Sequence, residues 1–152
     1  MVRGGDGAEI GFGWRNPEGI LMTKPFDDYS YEIHTNRELE LMLAGCKPMA
    51  IFYRGVGENF DETNGQPFRK YVESGQLTRS VFYIQNANQK FRIFYSIYTL
   101  AGEEWRAELY KQLKKSTQIG KWCQDMEIIE GTLLGYTIEE NLEHVKSRYR
   151  DL

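Results

Sequence analysis

Histidine and cysteine are scarce in this chain, with two of each. His34 and His144 stand far apart, as do Cys46 and Cys123. No C-x-x-C and no H-E-x-x-H occurs, and most zinc sites depend on spacings of that kind. The zinc-deaminase pattern is missing too. Asp61-Glu62-Thr63-Asn64-Gly65 lacks ligands at alternate positions, so it is no EF-hand loop. No metal is expected.

A long apolar run is also lacking. A membrane-spanning helix needs about 18 apolar residues in a row, and none is present. The opening MVRGGDGAEIGFGW has no apolar h-region, so no secretory leader is expected. No N-x-Ser/Thr acceptor occurs. Two cysteines beside apolar residues read as buried thiols rather than a disulfide framework. A cytoplasmic setting follows as an expectation. A basic surplus is absent as well: net charge is −3 with a pI near 5.5. This argues against a dedicated nucleic-acid binder, although a local basic face is compatible with it.

Catalytic signatures are missing in turn. There is no G-x-S-x-G elbow. Gly55 and Gly57 follow a strand-like run, but Phe60 stands where the third glycine of a dinucleotide fingerprint belongs. Gly120-Lys121 has Lys115 in place of the upstream glycine of a phosphate loop. Asp27-Asp28, Glu58, Asp61-Glu62 and Glu103-Glu104 read as solvated loop acids or helix-start acids, and no spacing selects an acid–base pair. His34 is expected beside a helix cap and His144 on an exposed helix face. Cys123 is expected on an apolar stripe, away from any thiolate chemistry. The residues assign no catalytic role and imply no cofactor.

What the chain has in quantity is aromatics, 14% of its 152 residues, with ten tyrosines. Tyrosine combines an apolar ring with a polar tip and suits half-buried surfaces and interfaces. The length fits one domain. Residues 1–27 carry Gly4, Gly5, Gly7, Gly11, Gly13 and Gly19 and read as a glycine-rich arm, partly ordered. Trp14 is a large apolar payload for such an arm and is expected to dock on a surface. Residues 28–152 read as a single α+β domain.

Within that domain Tyr29–His34 alternates as a short strand. Thr35 and Glu38 have capping-box spacing, Leu39, Met42 and Leu43 form the stripe of a helix, and Gly45 ends it. Met49–Tyr53 is apolar throughout and reads as a central strand covered on both faces. A long loop, Gly55–Gln66, follows and is a candidate small-molecule site. Pro67 opens a short helix to about Ser74, with Phe68, Tyr71 and Val72 inward.

Arg79–Tyr98 reads as a β-hairpin around Asn86-Ala87-Asn88-Gln89 and holds six of the eighteen Phe and Tyr residues. Phe91, Ile93, Tyr95 and Ile97 share its core face. Arg92, Phe94, Ser96 and Tyr98 share the other, with Arg79 and Tyr83 beside them. Three helices complete the chain. Their apolar stripes are Trp105/Leu109/Leu113, then Ile119/Trp122/Cys123/Met126/Ile129/Leu133, then Ile138/Leu142/Val145/Tyr149, and Thr137 with Glu140 forms a capping box for the last.

The expected fold is α+β, with a mixed or antiparallel sheet of about four strands and three C-terminal helices packed on it. The expected function is a non-enzymatic protein-interaction or regulatory module acting through an aromatic-rich surface, by way of a protein partner or self-association. Arg79, Tyr83, Arg92, Phe94, Tyr98 and Trp14 are its candidate binding residues, since interfaces favour Tyr, Trp and Arg. The alternative is a nucleic-acid-directed protein, binding RNA or cutting it without metal, that uses the Arg/Tyr face of the hairpin. Aromatics interleaved with arginines can stack bases and hold phosphates.

Overall fold

Strand β3, Ile93–Leu100, is the axis of the fold. It lies between β1, Met49–Gly55, and β2, Leu77–Ile84, and runs antiparallel to both. The computed structural model describes residues 29–55, 65–85, 92–117 and 121–149. The arm at 1–27 with Trp14, the loop from 56 to 64, and Phe91 lie outside the described residues.

Among the described residues the sheet has three strands rather than four, and all are antiparallel. Tyr29–His34 joins no ladder. Its rings make contacts instead: Tyr31 stands edge-on to Tyr136 with centroids 5.8 Å apart, and the His34 amide donates to the Tyr136 hydroxyl at 2.9 Å. The expected central strand, β1, sits at the sheet edge, and β3 holds the centre. Met49–Phe52 is nonetheless buried on both faces, because helices cover both sides there. That explains its continuous apolar run.

The period of two divides the strands cleanly. On one face Met49, Ile51, Tyr95, Ile97, Phe82 and Ile84 meet Ala107, Tyr110, Leu133, Leu134 and Tyr136 from the C-terminal part of the chain. On the other face Ala50, Phe52, Leu77 and Tyr98 meet Met42 and Phe68. Met42 comes from α1, Glu38–Leu43, and Phe68 from a 3-10 turn, Gln66–Phe68, that leads into α2, Arg69–Glu73. Phe68 stacks on Tyr98 at 4.3 Å. Each such fully buried large side chain contributes roughly 1.5–3 kcal/mol.

The helix starts are a mixed outcome. The Thr35–Glu38 box does not form: Asn36 adopts a left-handed φ of 68°, the helix begins after Arg37, and Glu38 is buried. Gly45 does close α1 with a φ of 74°. The Thr137–Glu140 box forms in full, Glu140 accepting from the Thr137 amide at 2.7 Å while Thr137 Oγ1 accepts in return at 3.2 Å.

The stripes of the last three helices are rotated from expectation. In α3, Glu104–Ser116, the buried residues are Ala107, Tyr110 and Leu113, and Trp105 and Leu109 face outward. In α4, Gln124–Leu133, Glu127 and Glu130 are buried while Ile129 is exposed. The helix starts at Gln124 with Cys123 just before it, and Ile119 lies outside the described residues. In α5, Ile138–Arg148, Asn141, His144 and Val145 are buried, and Ile138 and Leu142 are exposed. The reason is charge pairing: α4 turns its carboxylates inward to meet cations and an imidazole on α3 and α5. Both cysteines are free and exposed, which corrects the expectation of buried thiols.

Candidate functional site

The hairpin row assembles as its alternation requires. Arg79 lies opposite Tyr98, Val81 opposite Ser96, and Tyr83 opposite Phe94. The helices then divide it. α1, α2 and the 3-10 turn close over its inner end, so Tyr98 and Ser96 are buried. The outer end is open: Tyr83 is 59% exposed and Val81 49%. Tyr83 leans on the half-buried Phe94 with centroids 4.9 Å apart. Arg79 Nε donates to the buried Ser96 Oγ at 3.0 Å, which fixes the guanidinium above the sheet. Arg92 stands at the other end of the hairpin, its Nε donating to Gln85 Oε1 at 3.2 Å.

Tyr83 and Phe94 are therefore together, with Arg92 two residues from Phe94 on one side and Arg79 four residues from Tyr83 on the other, while Tyr98 is part of the core. A base-stacking platform needs open ring faces, and the Tyr98 ring is occupied by Phe68. Sequence reasoning missed Val81. The signal was available, since Val81 lies two residues from both Arg79 and Tyr83 and must share their face.

β2 is an edge strand, pairing with β3 alone among the described strands. Arg79, Ser80 and Val81 are exposed in succession, so both faces are open at the middle of this edge. Natural edges are usually guarded by charge, proline, bulges or a covering element. Here the outward stretch Arg79–Tyr83 carries one arginine and no proline.

Two concavities lie on the α1–α2 side, and the first adjoins the row. One of about 110 Å³ lies between α2 and β2, lined by Arg69, Val72, Glu73, Arg79 and Tyr98. A wider groove of about 440 Å³ runs between Leu39 and the Gln66–Glu73 segment. Arg69 and Glu73 border both. A carboxylate among the arginines tempers their pull on an anion.

On the opposite side, a buried polar network joins the C-terminal helices. Glu127 Oε1 accepts from Trp122 Nε1 at 3.1 Å and pairs with Arg148 Nη1 at 2.9 Å. Its Oε2 faces His144 Nε2 at 3.2 Å, and His144 Nδ1 lies 3.5 Å from the Tyr29 hydroxyl. His144, expected on an exposed helix face, is only 2% exposed. Glu130 lies 3.6 Å from Lys114 Nζ; burial raises its pKa against the pull of that lysine. Burial also raises the phenol of Tyr110, and Glu130 adds to it. The order phenol–imidazole–carboxylate has the form of a proton relay, but Arg148 and Trp122 already hold the carboxylate. Neither concavity borders the network. Its evident work is to fasten α4 to α5 and α3.

A second buried polar contact lies under the segment before α1. Lys47, fully buried, places Nζ 3.2 Å from His34 Nδ1 and donates to the Leu134 carbonyl at 3.1 Å. The His34 ring stacks on Tyr136 at 4.0 Å. Burial first, and the Lys47 charge second, push the imidazole down to about 4. No cluster of three or more potential metal ligands occurs among the described residues. No helix among them is long and apolar enough to cross a membrane.

Comparison with known proteins adds no relative: no family model, no curated protein and no solved structure matches the chain.

Proposed function

We propose that this chain is a non-enzymatic protein-interaction module that engages its partner through the outer edge and open face of β2. The observation that carries this reading is the exposure of Val81 and Tyr83 on an edge strand, flanked by Arg79 and backed by Phe94. An edge strand offers unpaired amides and carbonyls to an extended segment, and alternate side chains supply the selectivity. Tyrosine and arginine are the residues from which binding hot spots are most often built. Val81 supplies a flat apolar centre, and Tyr83 and Arg79 form a partly polar rim.

The test is native capture with wild-type chain and with Val81→Lys as bait, followed by hydrogen exchange on any complex. Protection at residues 79–83, lost in the variant, is the expected result. Absence of any complex, including self-association, would defeat the reading. So would protection confined to the helical layer. An RNA or DNA gel shift belongs beside it. Retardation at low salt that fades as salt rises would replace the protein reading with the nucleic-acid one.

A further inference from the structure

We propose that the partner of β2 is β2 of a second copy of this chain, paired antiparallel about a twofold axis at Val81. The proposal rests on the interaction reading above and names its partner. β2 is self-complementary about Val81. A twofold normal to a sheet keeps each face on its own side, so residues directly opposite must belong to the same face. Centring the axis on Val81 sets Val81 against the second copy's Val81, Arg79 against its Tyr83, and Ser80 against its Phe82.

Three consequences favour this centre. Val81 and Tyr83 are the exposed large apolar residues of the open face, and both fall inside the contact. The pairing of Arg79 with Tyr83 sets a cation opposite an aromatic residue rather than a like charge, with Arg79 Nε still on Ser96. It occurs twice by symmetry, and it holds the two guanidiniums apart on either side of the axis. A shift of the centre to Phe82 would place Phe82 against its own copy. Phe82 is already 7% exposed and stacked on Tyr95 at 4.8 Å, so it has little left to bury. A shift to Ser80 would set Arg79 against Val81, exchanging the aromatic partner for an aliphatic one.

The joined sheet would have six strands, twice the three of one copy, and the edge of β2 would be closed. The helices lie on the faces of each sheet, with α3 and α4 over one face and α1 and α2 over the inner end of the other. The exposed run Arg79–Val81 leaves the approach open at the middle of the strand.

Sedimentation equilibrium of the full chain over a wide concentration range tests the association, and paired spin labels test the register. Wild type should form dimers. Val81→Lys, which sets two ammonium groups at the axis, should weaken the dimer at least about ten-fold with an unchanged circular dichroism spectrum and melting curve at low concentration. Leu109→Lys, on the exposed side of α3, should leave association unchanged. In a Cys46→Ser, Cys123→Ser background, a label at Gln85→Cys should report a distance between copies near 27 Å, roughly eight residues of antiparallel rise. A dimer broken by Leu109→Lys but not by Val81→Lys overturns the proposal, as does a label distance that fits another centre. A chain that stays monomeric, yet forms a complex with another protein that protects residues 79–83, overturns the self-pairing and leaves the interaction reading standing. A chain that stays monomeric and protects β2 in no complex defeats both.

Discussion

His34 sits between a buried ammonium and a tyrosine ring, and that position makes it a titration probe for the whole segment before α1. Its imidazole is depressed to about 4, from burial first and Lys47 second. The folded state therefore binds fewer protons than the unfolded chain, whose imidazole titrates near about 6.5. Stability from this group is complete above the unfolded value and is lost as pH falls toward the folded one. The full shift corresponds to roughly 3 kcal/mol. Solvent reaches the half-buried ring, so about 1–2 kcal/mol is the expected effect. In denaturant titrations wild type should lose about 1–2 kcal/mol more stability than His34→Gln between pH 7 and 4, and equal losses would remove the assignment. Proton NMR of Lys47→Met should show His34 titrating higher than in wild type, yet still below an exposed histidine, because desolvation is the larger cause. Glu130 works in the opposite sense. Its folded pKa is raised by burial, so the folded state holds the proton more tightly and stability falls as pH rises from the usual glutamate range through the raised value. Glu130→Gln should flatten that component of the profile. A profile unchanged by Glu130→Gln would show that Lys114 fully offsets the burial.

At the scale of elements, α4 and α5 meet closely at one point. A Cβ on Gly131 would lie 1.8 Å from Asn141 Oδ1, and Asn141 Nδ2 donates to Thr132 Oγ1 at 3.1 Å. Gly131→Ala gains intrinsic helix propensity of about 1 kcal/mol, but it must displace a buried amide and its hydrogen bond. A net loss of about 1–3 kcal/mol is expected in chemical denaturation. Thr137→Ala, which opens the capping box, should cost about 1 kcal/mol by the same measurement. If Gly131→Ala stabilised the protein, Asn141 would have to be free to move aside. That capping box was legible in sequence because it is local: a side chain and an amide three residues apart decide it. The hairpin and its two faces were legible for the same reason, through alternation. The helical stripes were not. Glu127 and Glu130 are buried because Arg148, His144 and Lys114 wait on other helices, and no window of one helix contains those partners. The failed Thr35 cap and the unpaired Tyr29–His34 run have a similar origin. Tyr136, about a hundred residues on, claims the His34 amide and the Tyr31 ring. Of the candidate site, Arg79 and Tyr83 were readable from alternation, but the burial of Tyr98 depended on where Phe68 would land.

At the scale of the molecule, two apolar clusters share one thin wall. β3 contributes Tyr95 and Ile97 to one cluster and Tyr98 to the other, and its backbone pairs with strands on both sides. Loss of either cluster exposes the central strand, so the layers should unfold together. Trp105 and Trp122 belong to the helical side and report on it, while Phe68 lies on the opposite side under Tyr98. Phe68→Ala removes a buried ring that stacks on Tyr98 and meets Phe52 edge-on at 5.5 Å, and about 3–5 kcal/mol of stability should go with it. In a Trp14→Phe background, tryptophan fluorescence and far-ultraviolet circular dichroism should give coincident transitions, both shifted by that same amount. A fluorescence transition that stayed at its original midpoint while the circular dichroism moved would mean that the helical layer folds independently of the α1–α2 side. β2 would then be the edge of a separable unit. Coincident, equally shifted curves instead place the open edge of β2 on a cooperative scaffold, which is what a strand-pairing surface requires: the geometry offered to the partner is set before it arrives, and little ordering is left to oppose binding.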